Sequence, residues 1–515
     1  MKRISAKLLL LLFVSLQFSG QALAQSRPPA SGPLADFVNN ADNGSSDLQR
    51  MAGNAIQAAC SGLNSYAQSI GLPNGFLLPA EQGDLFARCN EMVQTAAELQ
   101  GNTSTTRSLG LSGSELNGVM QQVSGEEQLS QSTLSTRVTN GQFSNIAGRL
   151  NAVRLGGASA ASGGRVAATG TYDDPDRRSP AYQQVSLSGG GAAGDADIAG
   201  SRLGWFIEGS YNTGDRDETV SEDGFDFDAT SFTLGLDYLL NSGVIGFSIG
   251  VDDYSADFQT STNVAGGDVE VEGTSGSLFG AWYKNAWYFD GIVSFGNLDS
   301  DASRVAFYVS NNPACIPACP GENRTLTGET KGDYVSAGAT VGYDLTRGNW
   351  DISPTLSIAY RDINMDGYTE VDTTGGGLNL SYDKQEIKSL KTILGVSFVG
   401  NYSRSFGILS PQVRFEWHHE TEDDPSRLTA KYAVEEQLAA LGVTGAAGAG
   451  DFTLSSCISC FVINGDLVDN DFGLVGLGLS AVFSQRIQIY GIYDALIGMD
   501  HLTSNAFSVG IRGQF

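Results

Sequence analysis

Positive charge, histidine and cysteine are all scarce in this chain. Thirty Lys and Arg stand against 57 Asp and Glu, a formal net charge of −27 over 515 residues. Such a polyanion repels phosphate backbones, which excludes nucleic acid as a partner. Three His and six Cys offer few ligands for a metalloenzyme, so neither metal nor cofactor is expected. Charged residues reach 17%, below the ~25% usual for globular domains. Beyond the first 24 residues no run of about 18 apolar residues occurs, so no transmembrane helix is expected. What is plentiful is Gly (65), Phe (25) and Tyr (18). The aromatics argue against disorder. Abundant glycine with few charges points to a large β structure that meets lipid.

Lys2, Arg3 and Lys7 flank the apolar run 8–16, and Ala22-Leu23-Ala24 supplies small residues for cleavage. Residues 1–24 read as a secretory signal peptide, since the apolar run is too short to span a bilayer. Losing those three cations takes the exported chain from −27 to −30.

From residue 202 onward apolar and polar residues alternate. Ile245, Phe247, Ile249 and Val251 are interleaved with Gly246, Ser248, Gly250 and Asp252; Val413, Phe415 and Trp417 with Gln412, Arg414, Glu416 and His418. Period two sends successive side chains to opposite sheet faces. Twelve such runs lie near 202–212, 227–240, 244–258, 270–284, 286–299, 329–345, 349–364, 384–403, 406–421, 470–483, 486–497 and 504–515. Short connections (241–243, 284–286, 346–348, 404–405, 484–485) alternate with long acidic ones (215–226, 300–328, 365–383, 422–470). That alternation, with Arg and Glu on the polar face, fits a transmembrane β-barrel rather than a soluble β-sandwich. Trp205, Tyr238, Trp282, Trp287, Tyr490 and Tyr493 near run ends suit interfacial girdles.

Pro354-Thr355-Leu356-Ser357-Ile358-Ala359-Tyr360, continuing to Asp366-Gly367-Tyr368-Thr369-Glu370, looks like a mid-barrel strand and following loop of one family, and the segment from Pro411 to Glu420 looks like another of its recurring strands. On these the C-terminal part, roughly 200–515, resembles the autotransporter β-domain family of type V secretion. The resemblance implies a mainly β fold: a twelve-stranded transmembrane antiparallel β-barrel, crossed by a helix that joins it to an N-terminal passenger. It further implies Sec-type export, the outer membrane of a Gram-negative bacterium, and partners in outer-membrane lipid, the barrel-assembly machinery and periplasmic chaperones. A monomer is expected. Phe507, Val509, Ile511 and the terminal Phe515 are similar to the family's membrane-assembly signal, although Gly513 stands where a bulky apolar residue is usual.

Ahead of the barrel the chain divides into a short helical module (25–113, a candidate passenger) and a helix with a Gly/Ala/Ser-rich linker (114–201). Asp47 reads as the cap of a helix carrying Leu48, Met51, Ala55, Ile56 and Ala59, and a second helix reads from Asp84. Cys60 and Cys89 lie in these helices and would staple them in an oxidising compartment. Cys315 with Cys319 and Cys457 with Cys460 suit local disulfides, with zinc ligation or redox exchange as the alternatives. Phe143, Ile146, Leu150 and Val153 keep helical spacing and travel with Arg149 and Arg154, so this segment resembles the family's pore helix; its arginines would meet Glu208, Asp290 or Glu416. The alternatives are a surface coil, a helix packed in the small module, or a plug and a further strand within 160–200.

No catalytic set stands out. Asp500-His501 at a rim would need a second acid and a placed water for catalysis. Some family members carry an esterase with a Gly-Asp-Ser nucleophile; here Gly83-Asp84-Leu85 lacks the serine. Asp215, Asp217, Glu218, Glu222 and Asp223 fit no EF-hand spacing. The family's Asn-Asn cleavage pair is not seen within the pore helix, where Asn140-Gly141 is the nearest pattern, so the displayed segment is expected to stay attached. The expected function is non-enzymatic: an outer-membrane barrel that translocates or displays its own N-terminal region. The alternative is a diffusion pore or adhesin working through extracellular loops, its N-terminal module periplasmic or plugging, with a cell-surface ligand still to be named.

Overall fold

The structure, a computed structural model, describes residues 30–150 and 202–514, apart from 103–105, 132, 137–140, 144, 261–265, 316–318, 320, 423–424, 451, 467–468 and 484–486. The signal peptide, Arg154, Val153, Phe515 and the 484–485 turn lie outside these residues.

Twelve strands form a closed antiparallel barrel: β1 (Leu203–Arg216), β2 (Phe225–Leu240), β3 (Gly243–Phe258), β4 (Gly267–Lys284), β5 (Trp287–Val309), β6 (Gly321–Tyr343), β7 (Trp350–Met365), β8 (Gln385–Gly400), β9 (Gly407–Glu420), β10 (Asp471–Phe483), β11 (Ile487–Ile497) and β12 (Leu502–Gln514). Each pairs with its sequence neighbours. β1 closes onto β12 from Gly204↔Gln514 to Arg216↔Leu502, so no open edge faces lipid. The alternation explains which face is which. Along β2, Phe232, Leu234, Tyr238 and Leu240 are exposed while Ser231, Thr233 and Asp237 point inward and are buried. Apolar rows of this kind run around the outer wall, including Phe247 and Ile249 on β3, Leu477 and Leu479 on β10, and Phe507 and Val509 on β12. Trp205, Tyr238, Trp282 and Trp287 lie at the short-turn end. Tyr490, read as a girdle residue, instead points inward at 3% exposure and hydrogen-bonds Glu208.

β5 and β6 have 23 residues each, about twice the 9–11 needed to span a bilayer. Their outer ends form a hairpin that projects beyond the long-loop mouth. The sequence marks 300–328 as a loop, and this is corrected. Inward-facing Ala302, Ala306, Tyr308 and Leu326 are buried, which turns a polar-looking stretch into a covered sheet.

What covers it is the N-terminal module: α1 (Pro33–Val38), α2 (Asp47–Ser69), α3 (Ala80–Leu99) and α4 (Gly113–Gln122). α2 starts one residue earlier than expected. Ser46 caps it, accepting from Gln49 N at 3.2 Å while Gln49 Oε1 accepts from Ser46 N at 2.9 Å, so both partners of a capping box are present. α3 begins at Ala80 rather than Asp84. Ser112 and Glu115 repeat the box at α4.

The long connections 366–384 and 421–470 also fold. They form a four-stranded sheet in the order Phe461–Asn464, Arg427–Tyr432, Leu380–Tyr382, Tyr368–Thr369, with the short helix α5 (Val434–Ala440) beside it. One continuous core unites module, hairpin and this sheet. Leu34, Phe37, Ile56, Leu85 and Met92 pack in the same cluster as Tyr308, Leu326, Leu380, Tyr432 and Phe461. The core extends to Leu129, so residues 114–129 pack as part of the module. No described helix is long and apolar enough to cross a membrane.

Candidate functional site

Beyond Leu129 the chain turns into the barrel. Residues 131, 133–136, 141–143 and 145–150 are helical. Leu134 packs with Phe225, Phe227, Tyr334 and Met365 near the long-loop mouth. Ile146 and Leu150 pack with Phe206, Leu239, Val244 and Phe279 near the short turns. The segment therefore traverses the lumen from one end to the other.

Polar contacts fix its register. Gln142 Nε2 donates to Asp252 Oδ1 at 3.1 Å, and Thr233 Oγ1 donates to Gln142 Oε1 at 2.7 Å. Asn145 Nδ2 donates to Thr233 Oγ1 at 2.8 Å. Arg149 Nε donates to Asp237 Oδ2 at 3.0 Å, with both side chains wholly buried. Glycine makes room: a Cβ on Gly338 would overlap the Phe143 ring, and one on Gly250 would overlap the Gln142 amide. Sequence reasoning named Arg149 but not its acceptor. Arg149 hydrogen-bonds Asp237, while Glu208, one of the three carboxylates expected, lies beside the same turn and faces it electrostatically. Glu416 is already engaged with Arg414 (3.3 Å) and His418 (3.0 Å). The signal for Asp237 was present: of the three carboxylates in β2 it alone falls on the inward face, three residues before the strand ends.

The segment leans on the β1–β6 wall. Beside it a cavity of about 1140 Å³ is lined by Asp290, Lys391, Arg414, Glu416 and Asp494 among others. Asp500 and His501 also reach this cavity. Among the described residues no hydrogen bond joins the Asp500 carboxylate to the His501 ring. Asp500 N instead donates to Asp469 Oδ2 at 3.0 Å.

At the mouth, ion pairs stitch module to barrel. Arg304 of β5 grips Glu370 bidentately, at 2.7 and 2.8 Å, and donates to Gln122 O (3.2 Å) and Leu378 O (3.1 Å). Arg324 of β6 grips Asp84 of α3 bidentately, at 2.7 and 3.0 Å, and reaches Asp372 at 3.2 Å. Arg88 of α3 reaches Glu322 at 2.7 Å and Glu91 at 2.9 Å. Burial outweighs Arg88 and pushes the Glu91 carboxyl up to about 8. None of these pairs was foreseen, because 300–328 read as loop.

The six cysteines form three disulfides. Cys60–Cys89 joins α2 to α3 with Cα atoms 5.6 Å apart. Cys315–Cys319 closes the tip of the projecting hairpin and Cys457–Cys460 a loop below α5. Glu435 holds that last loop, accepting from Ile458 N at 2.6 Å and Ser459 N at 2.8 Å. Phe507 and Val509 are exposed on the outer wall at 53% and 46%, with Ile511 half-buried. The acidic run 215–223 does not converge on a point: Glu222 turns to Arg216 at 2.9 Å, whereas Asp223 is buried beneath α4, where Gln121 donates to it at 3.3 Å.

Residues 205–455 match the autotransporter beta-domain family. The esterase EstA of Pseudomonas aeruginosa is 30% identical over 167 residues, 32% of this chain and 23% of the esterase. The match thus spans under a quarter of that relative's length. Two solved structures are similar in fold. The translocator domain of autotransporter NalP from Neisseria meningitidis aligns with 12% identity over 62% of this chain and 90% of that domain, TM-score 0.43. The β domain of the Bordetella autotransporter BrkA aligns with 16% identity over 61% and 99%, TM-score 0.39.

Proposed function

We propose that this protein, whose residues 205–455 match the autotransporter beta-domain family, is an outer-membrane barrel of a Gram-negative bacterium that exports its own N-terminal helical module through the barrel and keeps it there as a surface cap. The observation that supports this is the path of the chain. Leu134 lies at the long-loop mouth and Leu150 at the short-turn end. Short turns of outer-membrane barrels face the periplasm and long loops face outward. On that orientation the module is external, and the luminal segment is the trailing part of an exported chain. Tight packing of module against loops favours retention over release. Outer-membrane lipid, periplasmic chaperones and the assembly machinery are its proposed partners, the last engaging Phe507, Val509, Ile511 and Phe515. The protein acts as a monomer.

The function is display, without hydrolysis. The name of the Pseudomonas relative is that of an esterase, but Gly83-Asp84-Leu85 has no nucleophilic serine, and among the described residues no hydrogen bond builds Asp500 and His501 into a catalytic set. An epitope inserted in the exposed turn at Asn43-Gly44 tests the topology. Antibody and protease should reach it on intact cells, with the chain running as one band. A tag protected until the outer membrane is opened overturns the proposal.

The cavity beside the luminal segment favours a second reading, a diffusion pore narrowed by its plug. Deleting residues 25–200 should raise single-channel conductance severalfold in either case. Steady solute flux through the full-length protein would favour the pore.

A further inference from the structure

Three carboxyl groups are buried where the turn after α4 meets the β1–β2 loop. Glu126, Glu127 and Asp223 are 1%, 3% and 3% exposed. Among the described residues each keeps one oxygen without a hydrogen-bond partner: Glu126 Oε1, Glu127 Oε2 and Asp223 Oδ2. Their surroundings come from four elements. Glu126 faces Asp223, Arg304 and the Ser124 hydroxyl. Glu127 faces Glu126, Arg304 and Glu370, and the phenols of Tyr368 and Tyr382 from the loop sheet. Asp223 faces Glu127, Glu218 and the Gln121 amide.

Arg304 is the cation that Glu126 and Glu127 face, and its Nε and Nη2 are already committed to Glu370. With every carboxyl ionised, four buried negative charges would meet one guanidinium. Isolated buried charge is too costly to hold, so such groups take up protons instead. The three groups also sit on opposite sides of one seam. Glu126 and Glu127 belong to the module, Asp223 to the barrel.

We propose that Glu126, Glu127 and Asp223 form a proton-operated clamp that seats the module on the barrel mouth and releases it when they ionise. This rests on the module acting as a cap, but not on which side of the membrane it faces. Burial, the largest cause, pushes Asp223 up to about 8 and both glutamates well above the carboxylate range. The sign follows. These groups bind protons more tightly when docked, so the seam is firmest below the ordinary carboxylate pKa of about 4 and loosens as pH rises through about 8.

The test uses purified full-length protein in neutral-lipid vesicles, digested with proteinase K at pH of about 6 and about 9. Cleavage within 113–136, corrected for the protease's own pH profile, should accelerate about tenfold or more, since one pKa unit on one carboxyl is already a factor of ten. The combined Glu126→Gln, Glu127→Gln, Asp223→Asn variant should stay protected at the higher pH. Asp223→Asn alone should show a reduced acceleration, and it keeps the test open if the triple variant misfolds. A Glu91→Gln control should leave the acceleration at 113–136 in place. Wild-type protection unchanged between the two pH values, or equal acceleration in Asp223→Asn, overturns the clamp. Both outcomes are independent of the tag experiment on whole cells.

Discussion

At the residue scale, the cap is held by a few buried charges whose loss should be costly in a lopsided way. Arg304 is fully buried and supplies bonds to three segments at once: Glu370, Leu378 and Gln122. Replacing it strands a buried carboxylate, and breaking such a pair costs about 3–5 kcal/mol. Arg304→Met should therefore unfold the cap at much lower denaturant than wild type, read by protease sensitivity of 421–470. Arg304→Met with Glu370→Leu should recover part of the loss, since an apolar pair carries no stranded charge; no recovery would mean that Arg304 acts through packing alone. Glu91 is a second case. Its carboxyl titrates near 8 because burial outweighs Arg88, so module stability should fall as pH rises from about 4.5 to about 8. Glu91→Gln should remove only its own share of that slope in thermal melts followed by helical circular dichroism, the remainder belonging to Glu126, Glu127 and Asp223. Neither residue could be found from sequence. Arg304 sits among Asp299, Asp301 and Ser303, a stretch whose period-two pattern is visible only after Ala302, Ala306 and Tyr308 are known to be covered.

At the element scale, the strands were legible because lipid on one side and water or plug on the other enforce period two. Nearly every strand boundary falls within a few residues of its expected place. The misreadings fall where a different environment takes over, at the outer halves of β5 and β6 and in the loop sheet, where protein rather than lipid does the covering. The luminal segment was half legible. Helical spacing and Arg149 were visible, but Asp237, Thr233 and Asp252 look like ordinary inward polar residues until something is seen to touch them. Two predictions follow from the segment's seating. Gly338→Leu should displace the Phe143 ring and loosen the plug, and Asp237→Asn should remove the buried charge partner of Arg149. Each should raise channel opening frequency in planar bilayers while the barrel remains folded by its heat-modifiable mobility. An unchanged conductance record in both would mean that the plug is held by the module alone. For the α2–α3 hairpin, Cys60→Ser with Cys89→Ser removes a closure of 29 residues, worth about 3–4 kcal/mol in the chain-entropy model. The melting temperature of the helical signal should drop accordingly.

At the scale of the whole molecule, the cap has no owner. Its core draws Leu34, Ile56 and Met92 from the N-terminal module, Tyr308 and Leu326 from the projecting hairpin, and Leu380, Tyr432 and Phe461 from loops more than 350 residues from the module's start. A module of about 100 residues that cedes so much of its core to the barrel has too little apolar burial left to fold well alone. The loops are in the same position. Folding of each half should therefore require the other, and this separates the protein from a barrel that merely tethers an independent domain. A fragment covering 30–130, oxidised at Cys60–Cys89, should show weak and non-cooperative helical circular dichroism. The barrel lacking residues 30–130 should expose 421–470 to protease, and adding the fragment back should restore protection to both. If the isolated fragment melts cooperatively, the module is a self-sufficient passenger and the shared core is only a docking surface. If both halves are disordered apart and ordered together, the cap can form only once module and loops stand on the same side of the membrane, and under the proposed export its completion is then what folds the loops.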